Sequence, residues 1–556
     1  MSIQQQQRPL DVEMHNADDE TAPQNEPLST KQVKNEAGGY TFVVDNMCRL
    51  KRFIVLGSEG GTYYAGEKEL SQQNATCLMA LIEEGKGPEA VEVIKEYSVE
   101  GRTAKQDPII FALAMFARCS DLNTKRKAYE VLNDILRIPT HLFIFVENCE
   151  NLSKPKTGWG RAHRKAICKW YTQKKAKNLA MHVTKYKQRN GWSHRDLFRL
   201  CHIKPDNPSV QFVVRYVVKG LTDELKKQAS LPGVSQDISN VYEFLDVVER
   251  AKDMNEDELT AAIRGHGLVR EHIPTDKLKS PEIWKALLEK MPMTAMIRNL
   301  GKMTSIGILE PLTDEADKVT TKLRDMEALK AARIHPFNVL VALKLYGQGH
   351  GDKGKLSWEP NSMISSALDD AYYLSFKAVE PTNKRFLLAL DVSGSMSWGN
   401  CVGTPGITPA VATAAMAMVT ARTETKHHFV GFSHELVPIN IKKTDKLETV
   451  MQTISHISMG GTDCAQPMLY ATKKKLKVDV FIIYTDCETH SGKIHPSAAL
   501  KKYREQMQID AKLIVVAMTS NGFTLADPED SGMLDIAGFD SAAPQVIREF
   551  VMGGLG

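Results

Sequence analysis

Arg385-Phe386-Leu387-Leu388-Ala389-Leu390-Asp391-Val392-Ser393-Gly394-Ser395 is where the chain changes character. Phe386 to Leu390 form an unbroken apolar run, which predicts a strand buried on both faces. An Asp and two Ser follow at alternate positions, where that strand should end. Downstream the pattern alternates. Residues 409–420 form a small-residue helix, 429–432 a strand and 447–457 a helix. Residues 478–484 then read as a strand, 496–506 as a helix, 513–518 as a strand and 544–551 as a helix. Strands alternating with helices build a doubly wound α/β sheet, whose ligands sit at the carboxyl ends of its strands. We place this domain at residues 380–556.

Upstream, from about residue 70 to 350, the apolar period is helical throughout. Examples are Cys77-Leu78-Leu81-Ile82, the set Ile109, Ile110, Leu113 and Phe116, and Phe337-Val339-Leu340-Leu343. Paired helices in a solenoid fit this pattern. The helical domain is placed at residues 37–379. Residues 1–36 are rich in Gln, Asn and acid and poor in large apolar groups, which predicts a disordered tail.

The helical part holds the strongest charge signal. Between Lys154 and Lys204 there are 15 Lys and Arg and one acid, Asp196, in a chain whose net charge is only +4. A local excess of this kind is the footprint of a phosphate backbone. At helical spacing Arg161, Arg164, Lys165 and Lys169 share one side. Ala162, Ala166, Ile167 and Trp170 share the other, with His163 as a core histidine. Lys177 continues the cationic run. Trp159, Trp170, Tyr171, Tyr186 and Trp192 are expected to offer faces to unpaired bases. Ser193 and Asp196 read as a capping box, with Trp192 and Leu197 as its hydrophobic staple. His194 and Arg195 then fall in the first helical turn, where a phosphate is favoured.

Asp391, Ser393 and Ser395 are expected to meet Thr462, after the Gly460-Gly461 turn, and Asp486, after the 478–484 strand. Three hydroxyls and two carboxylates form a hard oxygen site suited to Mg²⁺, with Mn²⁺ as a second fit. This set resembles the metal-ion-dependent adhesion site of von Willebrand factor A domains. Hydroxyls leave the cation under-neutralised, so an acidic protein ligand is an expected partner. Cys401, Cys464 and Cys487 read as small buried residues.

Several classes have no support. Gly57-Ser58-Glu59-Gly60-Gly61 lacks the Lys-Ser/Thr of a phosphate loop and reads as a turn. Residues 349–356 nearly spell that loop, in the wrong strand and helix context. No G-x-S-x-G or H-E-x-x-H is present, so no enzymatic activity is expected. No run of 18 apolar residues predicts a membrane span. Nine cysteines without close spacing predict reduced thiols and a cytoplasmic protein with access to the nucleus.

The pairing of a basic helical array with an A-type domain resembles the Ro, or TROVE-module, ribonucleoprotein family. The residues that carry the resemblance are Gly57-Ser58-Glu59-Gly60-Gly61-Thr62-Tyr63-Tyr64, residues 183–194 (V-T-K-Y-K-Q-R-N-G-W-S-H), Arg298-Asn299-Leu300-Gly301-Lys302-Met303, Arg333-Ile334-His335-Pro336-Phe337 and Gly460-Gly461-Thr462-Asp463-Cys464. The resemblance implies a ring of HEAT-like helical repeats closed by the A domain. It implies Y RNA on the basic outer surface and single-stranded ends of misfolded noncoding RNAs in the ring. It places Y RNA contacts at Lys185, Lys187, Arg189 and His194. A monomer is expected. The competing reading is a metal-dependent protein–protein adhesion module without RNA.

Overall fold

The computed structural model describes residues 22–153, 158–351, 354–437, 439–457 and 460–554. Its strands are β1 (Val33–Lys34), β2 (Tyr40–Val43), β3 (Gln188–Arg189), β4 (Trp192–Ser193), β5 (Arg385–Asp391), β6 (Lys426–Phe432), β7 (Leu436–Val437), β8 (Val480–Thr485), β9 (Lys512–Ala517), β10 (Phe523–Thr524) and β11 (Met533–Ala537). The main sheet runs β11-β9-β8-β5-β6-β7. All its pairings are parallel except the short β7, antiparallel on β6.

Side-chain alternation along the central strands divides two cores. Leu387, Ala389, Phe481, Ile483, Leu513 and Val515 face one core, under helices Gln466–Lys473 and Pro496–Met507. Phe386, Leu388, Leu390, Ile482, Ile514 and Val516 face the other, which is continuous with the core of the helical domain. Helix Pro409–Thr423 lies in this second core, buried all round from Pro409 to Ala421. Its Ala-rich sequence lets it fit between the sheet and its neighbours on every side.

The helical domain is a run of helices, each packed on near neighbours in sequence. Asp107–Arg118 packs on Pro139–Leu152, Arg161–Thr172 on His194–Cys201, and Pro336–Gly347 on Ser362–Leu374. The last helices return to the first. Arg333 Nε donates to the Val99 carbonyl at 2.7 Å, and Asn338 Nδ2 to the Ala104 carbonyl at 3.1 Å. His335 Nε2 donates to the Arg102 carbonyl at 3.2 Å. The A domain docks at this closure. Arg102 pairs with Asp540 at 2.5 Å, Phe337 meets Phe539 edge-on, and Arg52 is buried against Asp535. β10 adds to β2 in an antiparallel pair between the two halves.

Three expectations are corrected. The tail predicted for residues 1–36 lies outside the described residues only up to 21. From residue 22 the chain is ordered against the A domain, with Gln24 buried and β1 paired to β2. The composition argument missed it because this segment is held by side-chain amides and backbone bonds, not by apolar burial. Second, β3 and β4 form a two-residue hairpin inside the helical domain. Asn190 and Gly191 both have positive φ, 51° and 77°, which matches a type I′ turn. Third, β11 adds an edge strand that the periodicity did not reveal.

Candidate nucleic-acid interface and metal centre

The predicted cationic helix is Arg161–Thr172, with His163, Ala166, Ile167, Trp170 and Tyr171 buried. Arg161, Lys165 and Lys169 are exposed and Arg164 is half-buried; Ala162, expected on the apolar side, is exposed as well. Lys177 is exposed on the next helix, Ala176–Lys185, and Lys187 and Arg189 are exposed on the hairpin. Arg195 is exposed on helix His194–Cys201. Among the described residues only one of these cations has an acidic partner. That one is Lys185, 3.9 Å from Glu271 and lying over the Tyr186 ring. Lys154 and Lys156 fall outside the described residues.

His194 is not part of this surface. It is 2 % exposed. Its Nε2 donates to the Tyr186 carbonyl and its Nδ1 accepts from the Tyr171 hydroxyl, both at 2.8 Å. Phe143 and Phe198 flank the ring. Burial pushes its pKa down to about 4, so it stays neutral. The helix start that was expected to hold phosphate is instead closed by its own capping box. Asp196 accepts from the Ser193 amide at 3.0 Å, while Ser193 caps the Asp196 amide. The Asp196 carboxylate leaves little room there for a second anion. His194 ties the chain entering the hairpin of Lys187 and Arg189 to helix Arg161–Thr172.

The aromatic expectation is corrected for Trp170 and Tyr171, while Trp159, Tyr186 and Trp192 are half-buried. Trp170 and Tyr171 are core residues, 1 % and 0 % exposed. Trp159 is half-buried, with Nε1 bound to Glu150 and its ring against His163. Trp192 packs beside Trp159. These rings build the platform under the cations.

Five other histidines of the helical domain share the state of His194. Burial drives His141, His163, His182, His194, His272 and His335 each from 6.5 down to about 4. In the unfolded chain they take up protons as the pH falls through about 6.5; folded, they resist until about 4. Their contribution to stability is therefore complete above 6.5 and is lost progressively toward 4. The expected result is a thermal midpoint that falls across that window. Replacing His163 and His194 with Gln should flatten the fall. An unchanged acid slope in that double variant would remove these two rings as its cause.

The second constellation gathers where β5 and β8 end. Asp391 closes β5, fully buried. Its Oδ1 accepts from the Ser393 amide at 2.9 Å and its Oδ2 from the Thr485 hydroxyl at 2.5 Å. The Ser393 and Ser395 hydroxyls are 3.2 Å apart. Asp486, 3 % exposed, follows β8 and accepts from the Glu488 amide at 3.1 Å. Backbone bonds knit in the loop of Thr462: Gly394 N donates to the Gly460 carbonyl at 3.1 Å, and His490 and Ser491 N donate to the Thr462 carbonyl at 3.0 Å. Five expected oxygen donors thus lie on three loops tied to one another.

The donor chemistry fits a hard divalent cation. Burial pushes the Asp391 carboxyl up, and the charge of Asp486 adds to this; burial likewise raises Asp486. Among the described residues neither carboxylate has an ion-pair partner, and no group of three or more His, Cys, Asp or Glu is placed to hold a metal ion by those side chains alone. Two buried carboxylates beside serine hydroxyls lack a positive charge, and all five expected donors are oxygens, which suit a hard cation. Cys401, Cys464 and Cys487 are buried with raised pKa values, as small core residues should be.

The sequence did not reveal what lies beside this site. A small cavity is lined by Gly57, Ser58, Glu59 and Tyr63 of the helical domain together with Ser395, Trp398 and Asp486. Gly61 has φ +63°, and a Cβ there would lie 2.6 Å from the Ala65 carbonyl, so the tight turn requires glycine. Burial and the charges of Asp486 and Glu488 push the Tyr64 phenol up, placing that residue next to the carboxylates. Tyr63 stacks edge-on against Trp398, and both are about half exposed.

Two family profiles match in tandem: the TROVE domain over residues 33–345 and the Ro60 vWA domain over residues 385–551. A Caenorhabditis elegans protein named RNA-binding protein RO60 is 39 % identical over 595 aligned positions, spanning 96 % of this chain and 92 % of its own length. A Deinococcus radiodurans protein of the same name is 38 % identical, spanning 96 % and 97 %. The crystal structure of the Deinococcus radiodurans RO (RSR) protein superposes with a TM-score of 0.66 at 35 % identity, covering 92 % of this chain and all of that one. The cationic helices, the closure of the helical run on the A domain and these matches over nearly the whole length lead to one conclusion: the chain belongs to the Ro family, in which a TROVE domain is joined to a von Willebrand factor A-type domain.

Proposed function

We propose that this chain is an RNA-binding scaffold of small ribonucleoproteins. Y RNA would lie on the basic surface, and single-stranded ends of misfolded noncoding RNAs in the closed helical array, serving RNA stability and quality control in the cytoplasm. The observation that carries this reading is the row of exposed cations, Arg161, Lys165, Lys169, Lys177, Lys187, Arg189 and Arg195, without acidic partners among the described residues. Charges left unpaired on a folded surface hold counterions, and a polyanion releases them on binding. The name carried by both relatives points the same way.

The test is the salt dependence of binding. With about six phosphates neutralised, log K for a small RNA should fall against log salt with a slope near −4. A flat profile would overturn the electrostatic reading.

At the second site we propose that Asp391, Ser393, Ser395, Thr462 and Asp486 hold Mg²⁺, with Mn²⁺ able to replace it. The ion would supply the positive charge that the two buried carboxylates lack. The hydroxyl ligands would leave the ion under-neutralised, which favours an acidic protein segment as the outer ligand, with the exposed Tyr63 and Trp398 at the rim as its apolar contacts. Catalysis is no part of the proposal.

A further inference from the structure

We propose that the N-terminal segment, residues 22–43, is a built-in strap that sets the metal affinity of the A domain, and that Gln24 is its positioning residue. This rests on the metal reading of Asp391, Ser393, Ser395, Thr462 and Asp486.

Thr462 and Asp486 come from two different loops, and a shared ion needs those loops at a fixed spacing. Gln24 joins them. It is wholly buried. Its Nε2 donates to Asp463 Oδ1 at 2.7 Å, one residue beyond Thr462, and to the Ile494 carbonyl at 2.8 Å. Its Oε1 accepts from the Thr489 hydroxyl, three residues beyond Asp486. The Thr489 hydroxyl in turn accepts from the Cys464 amide at 3.0 Å. One amide therefore spans both loops and uses its oxygen and its nitrogen to do so. Its backbone is fixed as well, since Gln24 N donates to the Gly492 carbonyl and the Gln24 carbonyl accepts from Tyr40 N.

The rest of the segment follows the same edge. Asn35 Nδ2 donates to the Thr489 carbonyl at 2.8 Å. Ala37 N donates to Glu488 Oε2 at 3.1 Å, and Asn521 Nδ2 holds the other oxygen of that carboxylate at the same distance. Gly39 lies so close to the Thr489 carbonyl that a Cβ would be 1.9 Å from it. His495 Nε2 donates to the Glu26 carbonyl at 2.8 Å, and its Nδ1 accepts from Gln32 at 3.2 Å. β2 then pairs with β10 and passes into helix Asn46–Leu56 of the helical domain. The strap thus links the metal loops to the TROVE half by one continuous backbone.

Groups that orient ligands from behind commonly change metal affinity 10- to 100-fold when removed. Gln24→Met keeps the volume and removes all three side-chain hydrogen bonds. In the full chain, titrated calorimetrically with Mg²⁺ alone, this variant should bind at least about tenfold more weakly. Its thermal midpoint in EDTA should stay close to that of the unaltered chain, because the backbone bonds remain. Ser393→Ala with Ser395→Ala is the reference for direct ligand loss. Unaltered Mg²⁺ affinity in Gln24→Met, with the Ser variant impaired, would overturn the strap alone. No Mg²⁺ binding by the unaltered chain would overturn the metal reading and the strap together. An equal loss of EDTA midpoint and affinity would assign Gln24 to general stability and overturn its positioning role; Asn35→Ala, which removes a bond to the same loop, should then weaken Mg²⁺ in the same proportion as its midpoint.

Discussion

A chain carrying Arg161→Glu, Arg164→Glu, Lys165→Glu and Lys169→Glu will bind a small structured RNA about a hundredfold more weakly or worse at physiological salt. Its log K against log salt will be flatter by about 3 units. The slope counts the counterions released, at roughly 0.7 to 0.9 per phosphate contact, and four contacts vanish. The affinity falls further because four repulsive charges replace them. The fold should survive. None of the four side chains has an acidic partner among the described residues, and helix Arg161–Thr172 is held from its other side by His163, Ala166, Ile167, Trp170 and Tyr171. Glutamates at positions 161 and 164 also fall in the first turn, where negative charge stabilises a helix. A binding isotherm at several salt concentrations, with circular dichroism as the control, decides the matter. Undiminished affinity with intact helicity would move the RNA to another face.

What the sequence disclosed follows from which forces leave a periodic trace. The apolar run of β5 and the alternation after it placed the A domain, because a parallel strand buried on both faces must be apolar throughout. Arg161, Lys165 and Lys169 were legible because exposed charges on a helix repeat at its pitch. His194 was misread for a physical reason. Sequence position placed it beside free helix amides, but could not show that Tyr171 and the Tyr186 carbonyl would enclose the ring. The same blindness affected Trp170 and Tyr171, whose faces serve the core. The strap was invisible for the converse reason. Gln24 and Asn35 are polar, so composition assigned them to solvent, yet each is buried with its hydrogen bonds met. Asn190-Gly191 was readable as a hairpin turn, and the surrounding helical pattern concealed it.

Asp535→Asn is expected to destabilise the junction between the two halves by about 3–5 kcal/mol, the range for breaking a buried ion pair from one side. Arg52 is 1 % exposed and Asp535 10 %. Arg52 Nε and Nη2 both reach the carboxylate, a forked pairing that a lysine could not reproduce. Its Nη1 donates to the carbonyls of Asn521 and Phe523, which tie helix Asn46–Leu56 to the segment leading into β10. Removing the negative charge leaves a guanidinium buried with only neutral partners, and it cannot lose its proton to escape the cost. The expected consequences are a lower urea midpoint and faster amide exchange in Asn46–Leu56 and in β11, which carries Asp535. The double variant Arg52→Met, Asp535→Leu should recover much of the loss, because it removes the stranded charge and fills the space with apolar atoms. If the single variant matches the unaltered chain in both measurements, the pair is a bystander and β2–β10 pairing holds the junction. If the double variant is as unstable as the single, the loss comes from the shape of the site and not from the unpaired charge.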